Sequence, residues 1–489
     1  MRRLSALDAQ FLNIEDRSTF GHVGALIVLD PSALPDGQLS LESVRDVLEP
    51  RLHLAAPFRQ RLVDAPLGLG YPAWIDDPDF DLEYHLRQVG IPQPGTREQL
   101  GEQVARIHAR PLDRSRPLWE MYLVHGLEDG RFALYSKVHH AAIDGVSGAE
   151  LLAVLMDATP EPAVVQPEPW QPDRVPPLWE QVSGATVSTL SRSRDVVTRL
   201  PRALPYVTAL PGGRLLPGAR AIDEVTAVLR SLTGAAEPPP RRDLVAPRTP
   251  FNGAITAHRR LAFVSVPLAE VKVVKNAFAL TVNDVVLALA AGALRRWLLD
   301  RDALPGLPLV TAVPVSVRDE SSAANGNLVS VMTVALPTQL ADPADRLAAV
   351  ASDVEVAKAE FDALPATLLQ DLSAMVPTAL SGLAARALFR LVSMPGVPVN
   401  LFVSNVPGPQ LPLWIAGARV EGIYPVSAVT ELTGGLNITL FSYDGSLDVG
   451  FVACREMVPD VWRLAGYLVD ELATVVSLAE SAVEESPGT

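Results

Sequence analysis

Cysteine is nearly absent: Cys454 stands alone in 489 positions. One thiol closes no internal disulfide and builds no cysteine-rich metal site, so Cys454 is expected as a small buried side chain. His53, His85, His108 and His125 show no metal-ligand spacing either, and no metal is expected. Long apolar runs are also missing. The longest clean one, Val285 to Leu294, is far short of the roughly 20 residues that span a bilayer, so any membrane contact must be peripheral. The first residues carry Arg2 and Arg3 but lack the apolar stretch of a secretory signal, because Asp8, Asn13, Glu15 and Asp16 interrupt it; a cytoplasmic location is expected. Positive charge is in deficit, with 41 Lys and Arg against 56 Asp and Glu and a formal charge of −15, which disfavours nucleic acid as a partner.

What is present suits a large globular enzyme. A hydrophobic fraction of 48% can bury an extensive core, and this length divides into two domains. Prolines at 160, 162, 167, 169, 172, 176 and 177 rule out regular helix or central strand there, so the stretch reads as an extended crossover. A second break holds Pro238, Pro239 and Pro240. The expected organisation is therefore a first domain over 1–158, a crossover over 159–250 and a second domain over 251–489. Strands are expected at 260–267, 307–317 and 328–337, and helices at 268–279 and 283–299. Within the crossover, residues 179–220 hold six arginines against Glu180 and Asp195, with apolar residues such as Trp179, Val187, Leu190 and Leu200 between them. That pattern fits a basic amphipathic helix on an anionic membrane or lipid-droplet surface, and equally a helix packed on the protein with its arginines in water. The apolar residues of 363–394 fit core or the wall of an acyl tunnel better than a membrane surface.

The most informative stretch runs from Lys137 to Gly145. Residues 131–138 have strand propensity, with Phe132, Leu134 and Val138 recurring at period 2. Two histidines, His139 and His140, end the strand. Adjacent strand residues face opposite ways, so the two are expected to hold different roles, one as a general base in a substrate channel and the other fixed in the fold. Asp144 and Gly145 follow; Gly145 lets the backbone turn, and residues 145–152 read as a helix start. A histidine at such a junction can titrate near neutral pH, as a base that deprotonates a hydroxyl requires. The competing reading is an ordinary strand end and turn.

The pattern H-H-x-x-x-D-G from His139 to Gly145 resembles the signature of the bacterial wax ester synthase/diacylglycerol acyltransferases. These lie within the wider superfamily of chloramphenicol acetyltransferase-like enzymes. Further segments are similar to the narrower family: Leu4 to Leu12, Pro111 to Trp119, Thr281 to Val286, Pro314 to Arg318, Gly326-Asn327, Ser404 to Pro409 and Leu436 to Thr439. The resemblance covers nearly the whole chain. It implies an α/β fold of two chloramphenicol acetyltransferase-like sandwich domains with the active site in a tunnel at their interface. It further implies transfer of a fatty acyl group from acyl-CoA to the hydroxyl of diacylglycerol or a long-chain alcohol, with neither cofactor nor metal.

On that resemblance His140 is the general base and His139 a supporting residue. Asp144 is implied to be structural, paired with Arg318 to hold the histidine loop. Asn283 is a candidate oxyanion donor, or alternatively a helix cap. Arg116, Pro117, Leu118 and Trp119 are candidates for an acyl-substrate entrance, or else a buried packing element. Gly326, Asn327, Ser404 and Asn405 are further substrate-binding candidates. Arg259, Arg260, Arg295 and Arg296 could meet the CoA phosphates. Two other functions remain open: a condensation-type enzyme taking its acyl group from a carrier protein, and a non-catalytic lipid-droplet coat. The Leu4 to Asp8 stretch favours the acyl-CoA enzyme over the first, and the intact histidine run argues against the second.

Overall fold

The alternation around Phe132 is realised in a central strand of a six-stranded sheet. The computed structural model describes residues 2–65, 71–143, 148–170, 172, 174, 175, 177, 224, 225, 242, 244–316, 329–362, 399–431 and 433–484. In chain order the first part holds β1 (Arg2–Arg3), α1 (Ala6–Asn13), β2 (His22–Asp30), α2 (Leu41–Leu48), β3 (Gln60–Val63), β4 (Ala73–Asp76), α3 (Leu82–His85) and β5 (Leu86–Gly90). It continues with α4 (Arg97–His108), β6 (Trp119–His125), β7 (Phe132–His139) and α5 (Gly148–Ala153). The second part holds β8 (Arg259–Pro267), α6 (Leu268–Ala277), α7 (Val282–Leu299), β9 (Leu309–Ser316), β10 (Val329–Leu336) and α8 (Pro343–Asp362). It ends with β11 (Leu401–Val406), β12 (Trp414–Ile415), β13 (Ala418–Val426), β14 (Leu436–Tyr443), β15 (Ser446–Cys454) and α9 (Val461–Glu484). The expected α/β class is observed, and the strands and helices expected at 131–138, 260–299, 307–317 and 328–337 lie within a few residues of these bounds.

The first sheet runs β12-β13-β2-β7-β6-β5 and the second β10-β9-β11-β14-β15-β8, with a small β1-β4-β3 sheet beside them. The strand β13 comes from the second part of the chain yet pairs antiparallel with β2, from Arg419 opposite Asp30 to Val426 opposite Gly24. One backbone ladder therefore ties the two parts together.

Helix α4 fills the space between the sheets. Thr96 and Gln99 form a reciprocal capping box at its start, satisfying otherwise orphaned backbone donors. Its Leu100, Val104, Ala105 and Ile107 pack with Tyr135 of β7, Leu261 and Phe263 of β8 and Tyr424 of β13. The approach to β8 requires a glycine, since a Cβ on Gly101 would lie 2.6 Å from the Leu261 carbonyl oxygen. On the far face of the second sheet α6, α7, α8 and α9 build the largest core around Trp297, Phe263's neighbour strand residues Val449 and Phe451, and Leu468. Among the described residues no single helix is long and apolar enough to cross a membrane. The bent pair α6 and α7 passes on length and composition together, but α7 is buried in this core from Asp284 to Leu294.

The start of the proline-rich crossover is fixed by a buried ion pair. Arg51 donates to both carboxylate oxygens of Asp157 at 2.8 and 3.0 Å, and Asp157 exchanges two backbone hydrogen bonds with Trp414 of β12. Asp157→Ala would leave the Arg51 guanidinium buried without its counter-charge, a loss of about 3–5 kcal/mol. Urea unfolding of the variant is expected to show it, with partial recovery in Arg51→Met/Asp157→Ala. A single-variant loss below about 1 kcal/mol would mean that solvent reaches the arginine.

Candidate active site

The histidine pair sits where β7 ends. His139 is the last residue of the strand, opposite His22 of β2, and is 1% exposed. Its Nδ1 accepts a hydrogen bond from the Ala141 N–H at 3.1 Å. In the neutral ring that puts the proton on Nε2, which lies 3.1 Å from Oε1 of Glu15. The same Glu15 oxygen accepts the Gly21 N–H at 2.8 Å, and the other accepts from Arg114 at 2.6 Å. Burial raises the Glu15 carboxyl, but the approach of His139, with the bonds from Arg114 and Gly21, outweighs it and holds it at about 2. Gly21 has no room for a side chain: a Cβ there would stand 2.8 Å from His139 Nε2.

His140 begins the short 3-10 turn His140–Ala142 and is half-buried. Its backbone N–H donates to the Gly21 carbonyl at 2.8 Å. Its ring stacks on Phe11 of α1 with centroids 4.0 Å apart. Ala141 and Ala142 pack under the same helix with Leu4, Leu12 and Leu118. The two rings thus have different surroundings, as alternation on a strand requires. Burial, then the neighbouring His139, push the His140 imidazole down to about 4, below the near-neutral range, against the pull of a hydrogen bond with its own carbonyl. At neutral pH the ring is the free base.

A polar layer lies below the pair, on the face of β7 shared by Tyr135, Lys137 and His139. Lys137 is fully buried, 3.1 Å from Glu120, and donates to the carbonyls of Ile107 and Arg110. His22 bonds the His108 carbonyl through Nε2 at 2.6 Å, and His108 Nδ1 meets the Tyr135 hydroxyl at 2.7 Å. These side chains satisfy the end of α4, where carbonyls have no helical partner, and so fix that helix against the strand carrying the histidines. A cleft of about 560 Å³ opens beside Glu15, lined also by Asp16, Arg17, Phe20, Ala109, Pro111 and Ala257, which come from both parts of the chain.

The remaining candidates divide. Asn283 is not the cap of its helix: Thr281 is, in a capping box with Asp284. Asn283 is the second residue of that helix, half-buried. Leu118 and Trp119 are core residues rather than an entrance; the Trp119 ring stacks on His85, and its indole N–H donates to the Phe58 carbonyl. Pro117 is buried with them, and Arg116 lies over the Tyr84 ring at 4.1 Å. Ser404 and Asn405 lie on β11, half-buried, beside Thr439 and Leu440 of β14.

Three of the four arginines suggested for CoA have structural duties. Arg259 is buried and donates to the carbonyls of Ser18 and His258, Arg295 donates to those of Thr338 and Gln339, and Arg296 pairs with Asp470. Arg260 is half-buried on β8. Asp144, Gly145, Arg318, Gly326, Asn327, residues 179–220 and residues 363–394 lie outside the described residues. Phe11, Glu15, Gly21 and Arg114 were not singled out as site residues from sequence. Phe11 and Arg114 fall within the segments similar to the family, but Glu15 showed only as a charge interrupting an apolar stretch.

Residues 4–286 match the wax ester synthase/diacylglycerol acyltransferase catalytic domain, and residues 325–475 match the C-terminal domain of the same enzymes. The chain belongs to the wax ester synthase/diacylglycerol acyltransferase family and is an acyltransferase. It is 36% identical over 487 residues to a Mycobacterium tuberculosis protein provisionally named a diacylglycerol O-acyltransferase, covering 99% of this chain and 92% of the relative. A second such relative from that species is 39% identical over 473 residues, covering 96% and 98%. Among solved structures, the wax ester synthase/diacylglycerol acyltransferase from Marinobacter aquaeolei VT8 superposes with a TM-score of 0.67 at 30% identity, covering 98% of this chain and all of that one. The first condensation domain of the CDA synthetase shares the fold, with a TM-score of 0.52 at 15% identity over 97% of each chain. The two-domain acyltransferase architecture expected from the sequence is therefore the one observed.

Proposed function

We propose that this enzyme transfers a long-chain fatty acyl group from acyl-CoA to the free hydroxyl of diacylglycerol, forming triacylglycerol, with long-chain alcohols as a second acceptor class. The observation that carries the reading is the placement of His140, whose ring stacks on Phe11 just past the end of the strand that buries His139 and whose imidazole burial pushes down to about 4. A hydroxyl is a poor nucleophile until a base takes its proton as it attacks. His140 takes that proton as the oxygen bonds to the thioester carbonyl carbon. The tetrahedral intermediate collapses with cleavage of the carbon–sulfur bond, and the imidazolium returns its proton to the CoA thiolate. The cycle closes on one histidine and calls for neither cofactor nor metal.

In this reading Asn283 donates a hydrogen bond to the carbonyl oxygen as it gains charge, and an Asp144–Arg318 pair holds the loop after His140. The enzyme works in the cytoplasm in peripheral contact with the inner membrane or lipid droplets, where its acceptor is dissolved. The names of the mycobacterial relatives support diacylglycerol as first acceptor. Incubation with a labelled long-chain acyl-CoA and either diacylglycerol or hexadecanol, with neutral lipids resolved, is expected to give triacylglycerol in excess of wax ester. No ester with either acceptor would sink the reading; wax ester alone would reverse the order of acceptors.

A further inference from the structure

We propose that Glu15 is a positioning residue for His140, acting through a clamp made with Arg114, Gly21 and His139. The inference rests on the reading of His140 as the base. Three paths lead from the one carboxylate to that imidazole. Glu15 accepts the Gly21 N–H, and the Gly21 carbonyl in turn accepts the His140 N–H, so the residue that fixes Gly21 fixes the backbone of His140. Glu15 also faces His139 Nε2, and the Nδ1 of that ring holds the Ala141 N–H, which is the peptide on the other side of His140. The third path runs through Arg114, which donates from one nitrogen to both Glu15 and the carbonyl of Leu12. That bond ties the end of α1 to the clamp, and α1 carries Phe11, whose ring is stacked on His140.

His140 is thus gripped on its backbone from both sides and on its ring face, and all three grips converge on the Glu15 side chain. No isolated helix end or loop turn explains why a carboxylate with so little exposure sits here, with both oxygens engaged. Its carboxylate also stands 3.1 Å from Nε2 of the His139 ring, whose Nδ1 accepts the Ala141 N–H. Displacement of a reacting group by about 1 Å costs on the order of 10² in rate, so loosening this clamp falls on turnover rather than on substrate binding.

The test is steady-state kinetics on the full-length enzyme with labelled acyl-CoA and diacylglycerol, comparing Glu15→Ala and Glu15→Gln with wild type and with His140→Ala. Glu15→Ala is expected to lower kcat by about 10²-fold with both KM values within about twofold, since it removes both carboxylate oxygens on which the clamp converges. Glu15→Gln keeps an acceptor oxygen for Gly21 and His139 and is expected to recover most of that loss. Wild-type kcat in Glu15→Ala would overturn the proposal, as would raised KM at unchanged kcat, or a glutamine variant as impaired as the alanine one. If Glu15→Ala does not fold, Glu15→Asp carries the test: it keeps the charge and shortens the reach, so a lower kcat at unchanged KM supports the clamp and a wild-type kcat overturns it. Turnover retained by His140→Ala would instead remove the base assignment, which separates failure of that reading from failure of this one.

Discussion

Lowering the pH from 7 to 5 is expected to cost the folded protein several kcal/mol of stability, and the cause is a set of histidines buried as neutral rings. His85 and His108 are pushed down to about 4 and about 3, in each case by burial first, and His22 is driven well below its ordinary value by burial and by His108. The structure shows why they resist protonation. His85 Nδ1 bonds the Trp119 carbonyl and His22 Nε2 the His108 carbonyl, while the second ring nitrogen of each is buried with no acceptor among the described residues for the N–H that protonation would create.

A histidine with a depressed folded value is bound by more protons in the unfolded chain, so stability falls as pH drops below about 6.5. At pH 5 His85 and His108 each contribute a loss of about 2 kcal/mol, and His22 acts in the same direction. Asp448 opposes them. Burial holds its carboxyl up at about 6 between Ser265 and the Ile423 N–H, so the folded state takes up that proton first and regains about 1 kcal/mol over the same interval. Glu15, held at about 2, stays ionised and contributes nothing to the change until the pH falls below about 4.5. Urea unfolding followed by tryptophan fluorescence should therefore show a lower midpoint at pH 5 than at pH 7. His85→Phe, which keeps the ring between Phe80 and Trp119, should flatten that dependence by about one proton. Equal midpoints at the two pH values would mean that these rings are hydrated in the native state.

Local patterns in the chain carried much of this architecture, and the exceptions share a cause. The strand ending in His139, the helix behind Thr281 and the proline break at 160 follow from period, capping residues and backbone restrictions, all of which act over a few positions. Thr281 and Asp284 spell a capping box, a local pattern that the reading of Asn283 as a possible cap passed over. The pairing of β13 with β2 joins residues nearly 400 positions apart, and no local period encodes a partner. Leu118 and Trp119 look the same in sequence whether they line a channel or fill a core; only burial separates the two. Glu15 is the clearest case. Its neighbours Ile14 and Asp16 give no hint of a site, and its meaning comes from Arg114, Gly21 and His139 arriving from other segments. The protonation state of His140 was equally hidden, because desolvation is a property of the folded surroundings.

That protonation state makes the base assignment sharply testable. Removing His140 is expected to lower kcat by about 10²–10⁴-fold, the range that a positioned general base supplies. Alanine alone is an ambiguous probe, since it also leaves Phe11 without its stacking partner. His140→Gln fills more of that space with no group able to take a proton at neutral pH, and should be impaired to the same order. Both should bind acyl-CoA with near-wild-type affinity, because the loss falls on an interaction made in the transition state. The wild-type pH profile adds an independent reading. A base titrating at 6.5 would lose about fourfold in rate between pH 8 and pH 6, whereas one held at about 4 stays deprotonated throughout and gives a level rate. Loss of activity on further acidification should then track unfolding of the buried-histidine layer rather than titration of the base. A reversible fourfold fall centred near 6.5 in fully folded enzyme would show that His140 is hydrated in the working state, and that the stack with Phe11 opens when substrates bind.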